Sequence, residues 1–126
     1  MNFYEELKWR GLVKDVTDDE GLKARLNKPI TCYCGFDPTG DSLHVGHLQQ
    51  LLLLRRYQLN GHQPIALCGG ATAMVGDPRP TTERALQSLE TIANNAEAIK
   101  GQLAKLLDFK ASNKAIMVNN YDWLSK

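Results

Sequence analysis

The sequence predicts an α/β fold in which short parallel strands alternate with longer helices. Three short apolar segments with the composition of buried strands lie at 29–36, 65–67 and 115–118. A helical segment occupies each of the two gaps between them, at about 44–59 and 89–106. This strand–helix–strand–helix–strand order favours a parallel sheet with right-handed crossovers.

Two short amphipathic helices, at 4–10 and 20–26, are predicted before the first strand. The strand at 29–36 is β-prone and is bounded by Gly35 and Pro38. These helices form a leader that precedes the alternating region.

The first crossover helix is predicted to run from about His44 to Leu59. Asp41 or Ser42 is suited to cap its start, and Asn60-Gly61 is a typical helix end. The second strand, at 65–67, then follows Pro64.

The second crossover helix is predicted from a stripe of apolar residues at three- and four-residue spacing. Its members are Leu89, Ile92, Ala96, Ile99, Leu103 and Leu106. The segment 69–82, with three glycines and two prolines, is predicted to be a long loop. Ligands of parallel sheets bind at the carboxyl ends of the strands, where this loop and the segment 36–43 are expected to meet.

Composition places the chain among ordinary globular proteins. Its 126 residues fit one domain, with 43% apolar and 23% charged residues. Fifteen basic against fourteen acidic residues leave no net field that would attract RNA. Three cysteines, an odd number, favour a reducing compartment over a disulfide framework. With no signal peptide and no apolar run long enough for a membrane span, a cytoplasmic location is expected.

The most informative segment is 33–47, which reads Tyr-Cys-Gly-Phe-Asp-Pro-Thr-Gly-Asp-Ser-Leu-His-Val-Gly-His. It places His44 and His47 at the first turn of a predicted helix, behind a strand and a polar loop. The N-terminus of a helix attracts phosphate, and imidazoles there can donate further hydrogen bonds. Two such histidines can also merely cap or pack the helix, but the loop that leads into them favours a nucleotide site.

Several blocks of sequence together are similar to one family, the bacterial-type tyrosyl-tRNA synthetases of class I. His44-Val45-Gly46-His47 resembles the family's signature tetrapeptide at the ATP site. Five further blocks follow the family's order: Trp9-Arg10-Gly11-Leu12, Tyr33-Cys34-Gly35-Phe36-Asp37-Pro38-Thr39, Gly69-Gly70-Ala71-Thr72, Val75-Gly76-Asp77-Pro78 and Asn119-Asn120-Tyr121-Asp122-Trp123. The resemblance covers essentially the whole chain but only the amino-terminal part of the family's catalytic domain.

The resemblance implies a Rossmann-like sheet, the front half of the class I nucleotide-binding fold. Residues 1–126 would form a single, incomplete catalytic domain, with a helical leader at 1–28 and the nucleotide- and tyrosine-binding portion at 29–126. The full-length enzyme would activate tyrosine with ATP and transfer it to tRNA(Tyr), as a homodimer without membrane contact. Mg²⁺ would arrive with ATP rather than as a tightly bound metal, and the 126 residues alone are expected not to charge tRNA.

The resemblance also implies roles for individual residues. Thr39, His44 and His47 would be catalytic. Tyrosine would be bound by Tyr33 through its phenolic hydroxyl and by Thr72 and Asp77 through its α-ammonium group. The implied ATP-binding residues are Cys34, Gly35, Asp37, Pro38, Thr39, His44, Gly46, His47 and Gln50. Threonines replace the lysine pair that some family members carry before Glu83-Arg84, so either Arg79 or Arg84 could contact the pyrophosphate.

Three alternatives accompany this interpretation. Cys32 and Cys34 could, with His44 and His47, supply four zinc ligands. A small nucleotidyltransferase that uses a related His-x-Gly-His motif would suit the short length of the chain. A non-catalytic nucleotide-binding module would suit it as well. The acid that drives ATP–pyrophosphate exchange would distinguish the enzymes.

Overall fold

The computed structural model describes residues 1–38, 40–71 and 89–126. Their elements, in chain order, are α1 (Phe3–Trp9), α2 (Asp19–Arg25), β1 (Thr31–Phe36), α3 (Val45–Leu59), β2 (Gln63–Cys68), α4 (Leu89–Leu103), β3 (Ile116–Asn119) and α5 (Tyr121–Leu124). The predicted leader helices and the predicted alternation of strands and helices are confirmed. Among these residues, no helix is both long and apolar enough to cross a membrane.

The three strands form one parallel sheet in the order β1-β2-β3. Tyr33 of β1 lies beside Ile65 of β2, and Ile65 lies beside Ile116 of β3. This arrangement confirms the predicted parallel sheet. Its middle strand, β2, begins two residues earlier than expected and contains Pro64. The ladder to β3 starts only at Ile65, so the proline lies ahead of the part of β2 that is paired on both sides.

One face of the sheet, which we call the covered face, packs against α3 and α4. Cys32 and Cys34 of β1 lie on this face, half-buried. The buried residues of its core are Phe36, Leu51, Leu54, Ala66, Ile99, Leu103, Leu107 and Ala115. The apolar stripe of the second crossover helix is therefore confirmed in its central part, whereas Leu89 at its start is 50% exposed.

The opposite face, which we call the open face, is much less buried. Alternation along the strands places Tyr33, Ile65 and Ile116 in one row of this face, and Leu67 beside Val118 in the next. Tyr33 is 72% exposed, and the other four side chains are only partly buried.

The helical leader packs through a second cluster, formed by Phe3, Tyr4, Leu7 and Leu26, against Leu53 and Tyr57 of α3. A capping box of Asn2 and Glu5 starts α1. The Tyr4 hydroxyl donates to Asp19 at 2.5 Å, which joins α1 to α2 and holds the pKa of that carboxyl below its usual value. The leader is thus fixed to the same helix that carries the two histidines.

The start of α3 differs from the prediction. Neither Asp41 nor Ser42 caps it; His44 does, in an extended conformation with φ −103° and ψ 176°. Histidine is not among the residues normally expected to cap a helix, so propensity alone favours the wrong residues. The predicted end is confirmed, because Asn60 is the C-cap and Gly61 has a positive φ of 85°.

The predicted loop at 69–82 lies largely outside the described residues. Gly70 and Ala71 are within them and already have helical geometry, so the loop is shorter at its start than expected.

Candidate functional site

Backbone hydrogen bonds join the carboxyl ends of the three strands. The backbone N–H of Gly69, after β2, donates to the carbonyl of Phe36 at 2.9 Å. The N–H of Asn120, after β3, donates to the carbonyl of Cys68 at 3.0 Å. This end of the sheet, together with the segment 37–44 between β1 and α3, is called the loop edge below. It is the edge at which parallel sheets bind ligands.

Asn119, the last residue of β3, and Asn120, which follows it, contact the turn after β2. The Asn120 Oδ1 accepts from the N–H of Ala71 at 2.8 Å, and the Asn119 Oδ1 accepts from the N–H of Tyr121 at 3.1 Å. A Cβ at Gly70 would lie 2.3 Å from the Asn119 Oδ1, so this position requires glycine. The sequence pointed to these asparagines only through a resemblance. The available signal was a pair of polar residues at the end of an apolar strand.

His44 and His47 form one unit at the start of α3. The N–H of Gly46 donates to His44 Nδ1 at 3.1 Å, and the N–H of His44 donates to His47 Nδ1 at 3.3 Å. The two rings are stacked, with centroids 3.7 Å apart and planes 23° apart. Each ring therefore satisfies an N–H group at the helix start that would otherwise lack a partner.

These bonds determine which ring nitrogen carries hydrogen. A nitrogen that accepts an N–H bond is unprotonated, so Nδ1 of each neutral ring is the acceptor and Nε2 carries the proton. Two Nε2–H donors thus remain beside the positive end of the helix dipole. Phosphate oxygens are the ligand groups that this combination suits best.

His47 is favoured in its neutral form. Burial lowers its pKa, and the neighbouring His44 lowers it further, while the carboxylate of Asp37 opposes the shift. Its ring also packs against Phe36, with centroids 5.9 Å apart. The imidazole is therefore held as a neutral hydrogen-bond donor at neutral pH.

Gly46 is required by the ring of His44. A Cβ at this position would lie 2.9 Å from the His44 Cε1 and 3.1 Å from its Nδ1. The absence of a side chain at Gly46 thus leaves room for the ring of the capping histidine.

The other predicted site residues divide into groups. Asp37 and the fully buried Pro38 lie on the loop edge with the histidines. Gln50 is exposed on α3, one turn after Gly46. The predicted residues outside the described part of the chain are Thr39, Thr72, Asp77, Arg79 and Arg84.

Tyr33 and Cys34 are neighbours on β1 but lie on opposite faces of the sheet. Cys34 and the exposed Gly35 are the last residues of β1 before Phe36. Cys34 packs beside the covered core, and burial raises the pKa of its thiol. Tyr33 points to the open face, since successive side chains of a strand alternate between the two faces. The structure therefore brings the histidines and Asp37 together and keeps Tyr33 on a separate surface.

The alternative zinc site finds no support in the described residues, among which no three His, Cys, Asp or Glu side chains are arranged to hold a metal ion. Burial also raises the pKa of Cys32 to about 11, which disfavours the thiolate that zinc binds. Cys32 instead packs against the covered core, and Cys68 is buried, as expected of small apolar residues.

Two residues of α4 that contact the loop edge were missed by the sequence analysis. Asn95 donates to the carbonyl of Pro38, and Gln102 accepts from the N–H of Leu43. The available signal was a polar residue, Asn95, between Ile92 and Ile99 on a helix face that is otherwise apolar.

Comparison with known proteins supports one family. The family model described as tRNA synthetases class I (W and Y) matches residues 25–126. The tyrosine–tRNA ligase of Corynebacterium diphtheriae is 54% identical over 123 residues, which cover 98% of this chain and 29% of that protein. The tyrosine–tRNA ligase of Streptomyces coelicolor is 57% identical over 120 residues, which cover 94% and 28%.

A solved structure agrees with these relatives. The crystal structure of a C-terminally truncated Aspergillus nidulans mitochondrial tyrosyl-tRNA synthetase has a TM-score of 0.81 at 30% identity, and the match covers 99% of this chain and 39% of that chain. This chain thus spans under a third of the length of the two bacterial relatives. The resemblance and the Rossmann-like fold predicted from the sequence are confirmed. The chain belongs to the class I tRNA synthetase family of the W and Y type.

Proposed function

We propose that this chain forms the ATP-binding part of a tyrosine–tRNA ligase, within one catalytic domain whose nucleotide- and tyrosine-binding portion begins at residue 29. The observation that carries the proposal is the stacked pair of His44 and His47, whose Nδ1 atoms accept helix N–H bonds. Two Nε2–H donors and the start of a helix suit phosphate oxygens, and they lie at the edge where parallel sheets bind ligands. The relatives named tyrosine–tRNA ligase supply the reaction type.

In the proposed reaction, a carboxylate oxygen of tyrosine attacks the α-phosphorus of ATP. A bond forms between that oxygen and phosphorus, while the bond from phosphorus to the bridging oxygen of the β-phosphate breaks. Tyrosyl-adenylate and pyrophosphate are the products, and no protein nucleophile is needed. His44 and His47, with Thr39, would donate hydrogen bonds to the phosphates as negative charge moves onto pyrophosphate. Catalysis then depends on positioning and on this charge stabilisation.

Tyrosine is proposed to bind with its ring against the open face. Tyr33 is available there as a hydroxyl partner for the substrate phenol, since 72% of its surface is exposed. A carboxylate such as Asp77, with Thr72, suits the α-ammonium group of the amino acid. Cys34, Gly35 and Gln50 are proposed to line the nucleoside side of ATP.

The remaining partners follow from the proposed reaction. Mg²⁺ enters with ATP as part of the substrate, coordinated mainly by phosphates and water. Arg79 or Arg84 is proposed to contact the departing pyrophosphate. The second step transfers the tyrosyl group to tRNA(Tyr), and the full-length enzyme is proposed to be a homodimer.

The test needs a protein of the relatives' full length. In a hybrid enzyme, these 126 residues replace the matching segment of the Corynebacterium diphtheriae ligase. We expect ATP–pyrophosphate exchange that depends on tyrosine and is not supported by tryptophan. Exchange driven by a phosphorylated small molecule would favour a nucleotidyltransferase instead. ATP binding without any exchange would favour a non-catalytic module.

A further inference from the structure

Helix α4 makes two hydrogen bonds to the segment that leads from β1 into the histidine pair. The Asn95 side-chain Nδ2 donates to the carbonyl of Pro38 at 3.0 Å. The Gln102 Oε1 accepts from the backbone N–H of Leu43 at 2.8 Å. One bond thus lies near the beginning of the loop, and the other lies directly before the capping residue His44.

The two amides reach the loop from the same side of α4. They are seven residues apart, which is close to two turns, so both lie on the face that also buries Ile99. Asn95 is only 7% exposed, which is unusual for an asparagine and requires a hydrogen-bond partner. The helix face that packs the core is therefore also the face that contacts the loop.

Each bond gives a partner to a backbone group of the loop. Pro38 has no N–H, so its carbonyl is the only backbone group that it offers, and the residue is fully buried. Leu43 precedes the helix, and the histidine rings accept from Gly46 and His44 rather than from it. A buried or partly buried group that loses its partner is destabilised, so each amide constrains the loop.

We propose that Asn95 and Gln102 are positioning residues that hold Pro38 and Leu43, and with them the start of α3, in the arrangement in which His44 and His47 meet ATP. This inference rests on the proposed function, because it concerns the same ATP site. The link between the loop and α4 spans 57 residues of sequence for Asn95 and 59 for Gln102. In this proposal, a helix distant in sequence sets the geometry of the phosphate contacts.

The first test replaces Asn95 with aspartate in the hybrid enzyme. A neutral carboxyl group can still donate to the Pro38 carbonyl, but the ionised form cannot, and burial raises the pKa of such a carboxyl. Relative to the unsubstituted hybrid at the same pH, Asn95→Asp should raise the KM for ATP roughly three- to tenfold at pH 8, the effect of one lost hydrogen bond. The ratio should return toward one as the pH falls to about 5.5, because the carboxyl is then protonated.

The matched control is Asn94→Asp, the same chemical change on the exposed neighbouring residue. It should leave the KM for ATP unchanged across this pH range. Taking ratios at each pH removes the pH dependence that all variants share. Equal behaviour of the two aspartate variants would overturn the proposal. Should Asn95→Asp not fold, Asn95→Leu tests the same loss of a donor and should raise the KM for ATP at every pH.

The second test concerns Gln102, whose side chain accepts a hydrogen bond from the loop, whereas that of Asn95 donates one. Gln102→Glu keeps an acceptor oxygen for the N–H of Leu43, whereas Gln102→Met fills similar space without one. The methionine variant should raise the KM for ATP roughly three- to tenfold more than the glutamate variant, with the KM for tyrosine unchanged in both. A lower melting temperature with an unchanged KM for ATP would show that Gln102 only packs the helix.

Hydrogen exchange separates this inference from the proposed function. The amide of Leu43 should be protected in the hybrid enzyme, equally protected in Gln102→Glu and exposed in Gln102→Met. Equal protection in all three proteins would overturn the positioning role whatever the enzyme catalyses. If the unsubstituted hybrid shows no tyrosine-dependent exchange reaction while protection follows this pattern, the proposed function fails and the contact of α4 with the loop stands.

Discussion

The loop edge and the open face of the same sheet differ in how many of their groups find partners among the described residues. At the loop edge, Gly46, His44 and Leu43 donate their N–H groups to side chains within the described chain. On the open face, Tyr33 is 72% exposed, and the apolar side chains of Ile65, Leu67, Ile116 and Val118 are only partly covered. Parallel sheets are normally covered on both faces.

This difference separates the two halves of the proposed site. The proposed phosphate contacts depend on one strand–helix unit and on α4, whose residues hydrogen-bond to one another. The proposed tyrosine contacts depend on a face that the described residues cover only in part. Nucleotide binding should therefore tolerate isolation of this chain better than amino-acid binding does.

The largest expected effect comes from the chain by itself. We expect weak ATP binding, with a Kd nearer millimolar than micromolar, or about −4 rather than −8 kcal/mol. Tyrosine binding and tRNA charging should be undetectable, and the open face should cause self-association. Calorimetric titration with each ligand, a charging assay and analytical ultracentrifugation measure these outcomes. Detectable charging of tRNA, or tyrosine binding that is tighter than ATP binding, would contradict the proposed difference between the loop edge and the open face.

The loop edge is tested next by His44→Ala in the hybrid enzyme. Loss of one donor to the developing charge should slow adenylate formation roughly 10²–10³-fold, with kcat and kcat/KM falling together. Single-turnover kinetics measure the step. The control is Val45→Ala, which alters the neighbouring exposed side chain and leaves both rings in place. A raised KM for tyrosine with normal kcat would place His44 away from the phosphates.

The open face is tested by Tyr33→Phe in the hybrid enzyme. Only one hydroxyl is lost, so the fold and the KM for ATP should be retained. Discrimination of tyrosine from phenylalanine should weaken by roughly 1–3 kcal/mol, the scale of one buried polar group that lacks its partner. Rates of ATP–pyrophosphate exchange with tyrosine and with phenylalanine measure this selectivity. The control is Tyr57→Phe, which removes a hydroxyl from α3 beside the leader. Unchanged selectivity would mean that Tyr33 is not a substrate contact.

The smallest expected effect is a dependence of folding stability on pH. It allows His47, next to the loop edge, to be compared with His62, which lies elsewhere. Burial lowers the pKa of both His47 and His62, and His62 is only 2% exposed, with its Nδ1 accepting from the N–H of Ile30. Below the unfolded histidine pKa of about 6.5, the unfolded chain binds protons that the folded chain does not. Their stabilising contribution is therefore present above this pH and is lost as the pH falls through the folded pKa values.

Urea denaturation of the chain at fixed concentration, at pH 7.5, 6.5 and 5.5, measures this loss. His62→Asn, which can accept from Ile30 but does not titrate in this range, should reduce the pH dependence without abolishing it. The remainder belongs to His47. A midpoint that does not change with pH in the unsubstituted chain would contradict the burial of both rings as neutral groups.

Much of the fold was predictable because it depends on local patterns. The apolar stripe from Ile92 to Leu103 and the Asn60-Gly61 helix end follow from periodicity and from turn chemistry. The N-cap of α3 was not predictable from propensity, because His44 caps it through a ring that Gly46 leaves room for. A rule based on single residues does not include this pairwise dependence.

The sequence by itself determined the order of strands and helices, the family, and the pair of histidines at the start of a helix. These features are encoded by short-range spacing, which the printed sequence shows directly. Only the tertiary structure decided that Nδ1 of each ring is used by the helix start, and that Asn95 and Gln102 hold the loop from α4. The contacts of Asn95 and Gln102 join residues more than 50 positions apart, and their geometry depends on how the covered face packs, which no local pattern specifies.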